Sequence, residues 1–364
     1  MLTAIVFLLI LTTAVVVHEL AHYWNAKSVG LPVKSFSVGM GPVLFRRMWR
    51  GTEWRISLLP IGGYVDIPGM APRQDEHGNL HHPTDGFATK NIWQKIWVLI
   101  GGVLANFALA IILLAIVISN DPSYREFTAG IQIVASGAKI GSVEPGMTAE
   151  KLGIQAGDVV LKINDIENPT NTQVRETIGT TNGTLTLLLE RNGENVTVST
   201  PWPPQDFPGD RPLLGVAIEP LSVQLPPRIG FFPALAESVS FFIRILPEIP
   251  SSLARGFGAI LAGQQTDELA GPVRMVEIAN QVSRVGLMAV LFYAATINLS
   301  LAVFNILPIP GLDGGRILLA SIIALRGKPF KPGQEEFINF LGFMSVIALM
   351  LLVTFNDIAR FFRN

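Results

Sequence analysis

His18-Glu19-Leu20-Ala21-His22 is an H-E-x-x-H sequence. On a helix, positions i and i+4 share a face, so both imidazoles can reach one metal ion. Glu19 stands beside the first ligand, where it can accept a proton from a water on that ion. The chemistry this spacing suits is metal-assisted hydrolysis. Its setting is unusual, because Leu2–Val17 ahead of it holds no charge and is mostly apolar. At 1.5 Å per residue, His18 lies about 24 Å along a helix from Leu2. A bilayer's hydrocarbon core is about 30 Å thick, so the motif falls within it, toward the far side. Ionisable groups at that depth are costly and are functional candidates.

A catalytic zinc usually takes three protein ligands and leaves one position for water. The chain has no cysteine and five histidines, so the third ligand is His, Asp or Glu. His77, His81 and His82 are one option, in the polar loop Asp75-Glu76-His77-Gly78-Asn79-Leu80-His81-His82-Pro83. Asp313 is the preferred one. It lies in Asn305-Ile306-Leu307-Pro308-Ile309-Pro310-Gly311-Leu312-Asp313-Gly314-Gly315, with no charge between Arg284 and Asp313. The alternative role for Asp313 is a helix cap in a turn. Zn²⁺ with Asp313, Glu19 and two neutral histidines sums to zero charge, which lessens the penalty of burial in lipid. Pro308 and Pro310 interrupt the helix there, and interrupted backbone at membrane depth needs protein or water to satisfy it.

The elements that carry these residues follow from composition. The 364 residues are 49% hydrophobic and 15% charged, against about 25% charged in soluble domains. A net charge of −1 gives no reason to expect a nucleic-acid partner. Apolar stretches at about 2–27, 96–118, 285–307 and 337–355 are each near the length that spans a bilayer. The first lacks a basic leader and a small-residue cleavage site, so it reads as a retained helix. Residues 24–95 hold nine Lys/Arg and five Asp/Glu, whereas residues 121–284 hold twelve and eighteen. The positive-inside bias places the first connection in the cytosol and the acidic middle region outside.

Within that middle region, about 127–201 reads as a small soluble domain. Leu185–Glu190 and Val196–Thr200 are strand-like around the turn Arg191-Asn192-Gly193-Glu194. The run Gly153-Ile154-Gln155-Ala156-Gly157-Asp158-Val159-Val160-Leu161-Lys162-Ile163-Asn164-Asp165 resembles a PDZ domain, a module that binds extended peptides at a sheet edge. Residues 202–227 read as a proline-rich extended linker, and 231–263 as interfacial amphipathic helices broken near Pro247 and Pro250.

With H-E-x-x-H in the first apolar stretch, N-x-x-P-x-P-x-L-D-G after the third, and a PDZ-like insertion between, the chain resembles bacterial site-2 proteases of the RseP type. The resemblance implies an α-helical integral membrane protein with about four transmembrane helices, a membrane-associated β-element and an inserted PDZ-like α+β domain. It implies one Zn²⁺ held by His18, His22 and Asp313, with Glu19 as acid and base. It implies cleavage within the membrane of single-span proteins, such as anti-sigma factors or remnant signal peptides, already trimmed by another protease. It places the chain in the bacterial inner membrane, with the N-terminus and PDZ-like domain extracytoplasmic and the active site near the cytosolic side.

Gly101-Gly102-Val103-Leu104-Ala105-Asn106 resembles the family's G-G-P-x-A-N, with Val103 in place of proline; Asn106 is a substrate candidate or a packing residue. Asn305 is a second substrate candidate. Residues 36–66 resemble the family's β-element, where Ile56, Ser57, Leu58, Gly62 and Gly63 are candidates to hold an unwound peptide. The other reading of that element is a hairpin that only seals one face. A silent membrane PDZ scaffold and an ion-coupled transporter are the rival functions; an intact Glu19 opposes the first, and the lack of inverted repeats opposes the second.

Overall fold

A computed structural model of the chain describes residues 2–361 except 71–72, 75–79, 82–83, 132, 205–212, 265, 267–268, 329 and 332. They form two compact units, one of residues 1–121 with 229–364 and one of residues 122–228.

The first unit begins with α1 (Leu2–Ser28). A hairpin follows, β1 (Ser35–Trp49) and β2 (Thr52–Asp66), antiparallel from Trp49 opposite Thr52. Arg50 and Gly51 both take positive φ at its tip, as a two-residue turn between twisted strands requires. The base of the hairpin is buried. Phe36 joins Tyr23, Leu31, Val33, Ile67 and Val98 in one core. The distal half exposes Val43, Leu44, Phe45, Met48, Trp49, Leu58 and Leu59. Along α1 the hairpin is tied by Thr12, whose hydroxyl donates to the Pro60 carbonyl. Next comes α2 (Ile92–Asn120), started by a reciprocal cap between Asn91 and Gln94.

The second unit has a six-stranded sheet. Its strands are β3 (Lys139–Val143), β4 (Val159–Ile163), β5 (Gly183–Arg191), β6 (Glu194–Trp202) and β7 (Val216–Glu219), in the order β6-β5-β4-β3-β7, with 166–167 paired to β4. Alternate residues Leu185, Leu187 and Leu189 face a core with Ile140, Ile163 and Val174, the last from α3 (Asn171–Thr180). The Trp202 indole N–H donates to the Ile178 carbonyl at 2.7 Å. The compact unit is longer than the predicted 127–201, because the proline-rich stretch supplies β7 and a second short pairing, 222–224 with 134–136. Strands of three or four residues between prolines carry too few alternations to stand out.

The chain returns to the first unit as α4 (Phe231–Ile245), α5 (Ile249–Leu261) and α6 (Pro272–Val285). The predicted break between the first two falls at 246–248. α4 is more than interfacial, since Ala234, Phe241 and Phe242 are buried with Ala110, Leu114 and Ile118 of α2 and Ala295 and Leu299 of α7 (Leu287–Ile306). The predicted third span is α7, which starts just after Gly286, where φ is +138° and α6 ends. α8 (Asp313–Arg326) and α9 (Gln334–Phe361) complete the unit. Buried Asp357 of α9 accepts the Arg274 backbone N–H at 3.1 Å, satisfying the start of α6.

Among the described residues, four helical segments are long and apolar enough to cross a membrane: Ile5–Ser28, Ile92–Asn120, Leu287–Ile306 and Phe337–Ala359. The fold is therefore that of a mainly helical membrane protein with a β-containing domain.

Candidate metal centre

One turn of α1 separates His18 and His22, and both side chains are buried. α8 brings Asp313 to them at its first turn. His18 Nε2 lies 3.1 Å from Asp313 Oδ2, His22 Nε2 lies 3.2 Å from it, and the two Nε2 atoms are 3.1 Å apart. Ligands about 2.0–2.1 Å from a tetrahedral zinc stand about 3.3 Å from one another. The triangle has that size. The donor set suits zinc as well, with two imidazoles and one carboxylate.

The protons on the rings support the assignment. His22 Nδ1–H donates to the Val98 carbonyl at 2.8 Å, so in the neutral ring Nε2 is a bare lone pair. It points at Asp313 Oδ2, a buried oxygen with no hydrogen-bond partner among the described residues. Lone pairs that converge this way repel unless a cation lies between them.

Local sequence explains how α8 gets so close. A side-chain carbon on Gly314 would fall 2.2 Å from the Ile306 carbonyl oxygen and 2.4 Å from that of Leu307. Only glycine allows the first turn of α8 to fold against the end of α7. The Asn339 side chain accepts the Gly311 N–H at 3.2 Å and holds the preceding turn from α9.

Glu19 lies beside the triad, within the electrostatic reach of His18, His22 and Asp313 and next to the Val65 main chain. A carbon on Gly63 would stand 4.0 Å from Glu19 Cγ, so β2 runs past the Glu19 side chain. The other β2 candidates are divided by strand alternation. Ile56 and Leu58 are exposed, while Ser57 is buried against the Ser37 hydroxyl at 3.0 Å. Gly62 has φ +74° and its Cα faces the Met40 side chain. Asn305 is half-buried in the last turn of α7. His77 and His82 lie outside the described residues, and only the main chain of His81 is described, in a two-residue strand.

Asn106 is fully buried, with its amide nitrogen 3.5 Å from His18 Nδ1. Sequence reasoning missed two further contributors on α2. The Val98 carbonyl, being main chain, leaves no sequence signal. Gly102 leaves room for the His18 ring, whose atoms would be 2.4–2.6 Å from an added carbon; the Gly101-Gly102 pair was its only trace.

The second unit has a groove of about 640 Å³ between α3 and β7, floored by Ile178, Leu214 and Val216. β7 is the last strand of the sheet, and the Arg175 guanidinium donates to its Ile218 carbonyl at 2.8 Å.

Residues 6–349 match the sequence profile of Peptidase family M50. The chain is 30% identical to a protein of Agrobacterium fabrum described as a candidate zinc metalloprotease, over 97% of this chain and 94% of that one. It is 28% identical to zinc metalloprotease RasP of Shouchella clausii over 99% of both chains. It is 27% identical to zinc metalloprotease RasP of Geobacillus kaustophilus, over 98% of this chain and 97% of that one.

Proposed function

The chain belongs to peptidase family M50, and from that premise we propose that it is a zinc-dependent endopeptidase that cuts transmembrane segments of single-span membrane proteins. The observation that carries this is the His18–His22–Asp313 triangle, with both histidines on a helix long and apolar enough to cross a membrane and Asp313 at the start of α8, just after another such helix. Bound there, zinc supplies Lewis-acid polarisation of a scissile carbonyl and of the attacking water. His18, His22 and Asp313 would hold the ion, with Glu19 beside them. The Glu19 carboxylate takes the water's proton and returns it to the leaving amine.

A transmembrane helix has no free backbone groups, so it must unwind to be cut. β2 passes Glu19 at Gly63 and is hydrogen-bonded only to β1 among the described strands. An unwound segment would add to it as an extended strand. Ile56 and Leu58 would offer it side-chain contact, and Asn305 is its polar candidate. The second unit is PDZ-like in this reading. Its apolar groove would take a peptide C-terminus, such as an earlier protease exposes, and so restrict access. The charge bias between connections supports an inner-membrane orientation with that unit extracytoplasmic and the metal near the cytosolic side.

The test is cleavage of a single-span substrate by the purified full chain in proteoliposomes, with bound zinc measured in parallel. One zinc per chain and cleavage lost in Glu19→Gln are expected. Full cleavage by Glu19→Gln overturns the mechanism.

A further inference from the structure

Both metal-binding histidines lean on a single stripe of α2. Val98, Gly102 and Asn106 are spaced by four, so they lie along one face of that helix. Val98 receives the His22 Nδ1–H. Gly102 opens the space filled by the His18 ring. Asn106 then meets His18 Nδ1. His22 thus has an acceptor that leaves Nε2 bare for a metal, and His18 needs the same. As oriented, the Asn106 amide turns its nitrogen to His18 Nδ1 at 3.5 Å, and its oxygen is a buried acceptor with no partner among the described residues. A half-turn of the amide about Cβ–Cγ exchanges the two ends. Oxygen then accepts the His18 Nδ1–H, and the orphaned acceptor is satisfied.

We infer that Asn106 is a positioning residue, holding His18 in the Nδ1–H tautomer so that Nε2 binds the metal, and that it is not a substrate contact. The inference rests on the zinc-protease reading. Outer partners of metal-binding histidines raise ligand basicity and fix ring orientation, and their loss weakens metal binding about 10–100-fold. Asn106 has the burial such a role needs, with no exposed surface at all. A polar group enclosed within a candidate span is costly unless it is paired. The pairing with His18 accounts for its presence.

The experiment uses the full chain in detergent and zinc alone as the probe. Zinc affinity is read by competition with a chromophoric chelator, and the His18 tautomer by ¹⁵N-histidine NMR. Asn106→Leu removes the acceptor at similar volume; Asn106→Asp keeps one. The expected result is zinc binding weakened at least tenfold in Asn106→Leu with His18 no longer held as Nδ1–H, and both restored in Asn106→Asp. Unchanged affinity in Asn106→Leu, or an equal loss in both variants, overturns the inference. Wild-type chain that binds no zinc overturns the underlying reading instead.

Discussion

Each unit of the molecule has a buried aspartate facing cationic or nitrogen groups, and the two are built in opposite ways. In the second unit Asp158 is 1% exposed. Arg191 grips it with two hydrogen bonds of 2.7 Å, and the Gln155 N–H adds a third at 2.9 Å. Every contact is a donor, so the charge is satisfied by the protein alone. In the first unit Asp313 points a buried oxygen at two imidazole nitrogens, one of which has its proton on the far side of the ring. That carboxylate faces two ring nitrogens at the spacing of metal ligands rather than a fixed set of donors. A paired aspartate marks a structural site, and one aimed at lone pairs marks a ligand site.

The contrast can be broken at several points. The largest effect belongs to Glu19, which is beside the triad but outside it. Glu19→Gln should slow cleavage about a thousandfold or more, from the range of general acid–base catalysis, with zinc content unchanged. Loss of zinc along with activity would make Glu19 a ligand. Next is Asp313→Asn, which should weaken zinc binding by about a hundredfold or more. In metal-stripped protein the same change should cost less thermal stability than it does with zinc bound, because only the two imidazoles then face the carboxylate. As large a loss of stability without metal would give Asp313 the structural role that Asp158 has.

Asp158→Asn should do the reverse. It removes the charge that Arg191 grips, leaves Arg191 its bond to the Gly153 carbonyl, and should destabilise the second unit measurably. Hydrogen exchange of the β4 and β5 amides in the full chain measures this, with zinc content as the unaffected control. The smallest effect is that of pH. The Arg191 guanidinium holds the Asp158 carboxyl below the usual aspartate range. Its contribution to stability is therefore complete above the unfolded value of about 3.9 and is lost as pH falls through the lower folded value. Protection of β4 should fall over that acid range in wild type and stay flatter in Asp158→Asn. The same slope in both would mean that other groups control acid stability.

The grouping of His18, His22 and Asp313 was legible because two motifs carry them: H-E-x-x-H within an apolar run, and L-D-G after two prolines. α1 and α2 were legible to within a few residues for the same reason, long runs without charge. Other parts left weaker traces. Val216–Glu219 forms an edge strand, but four residues beside Gly215 and Pro220 show no usable period. The apolar face of α4 resembles an interfacial helix in sequence, and only its packing against Leu114 and Leu299 shows that it is core. The α2 stripe was hidden because Val98 acts through its carbonyl and Gly102 through the side chain it lacks. Asn106 alone was visible there, as a polar residue in a greasy helix, with no sign of which neighbour it served.

The Val98 carbonyl has one more consequence, for how the chain can change over time. The anchor is main chain, so any side chain that fits the core beside Phe36 and Tyr23 can stand at position 98 and leave the His22 contact intact. The count of residues from 98 to 106 has no such freedom. One inserted residue would turn the rest of α2 by about 100°, carrying Asn106 away from His18 while His22 stayed held. In this helix letters can be exchanged, but none can be added between the two anchors.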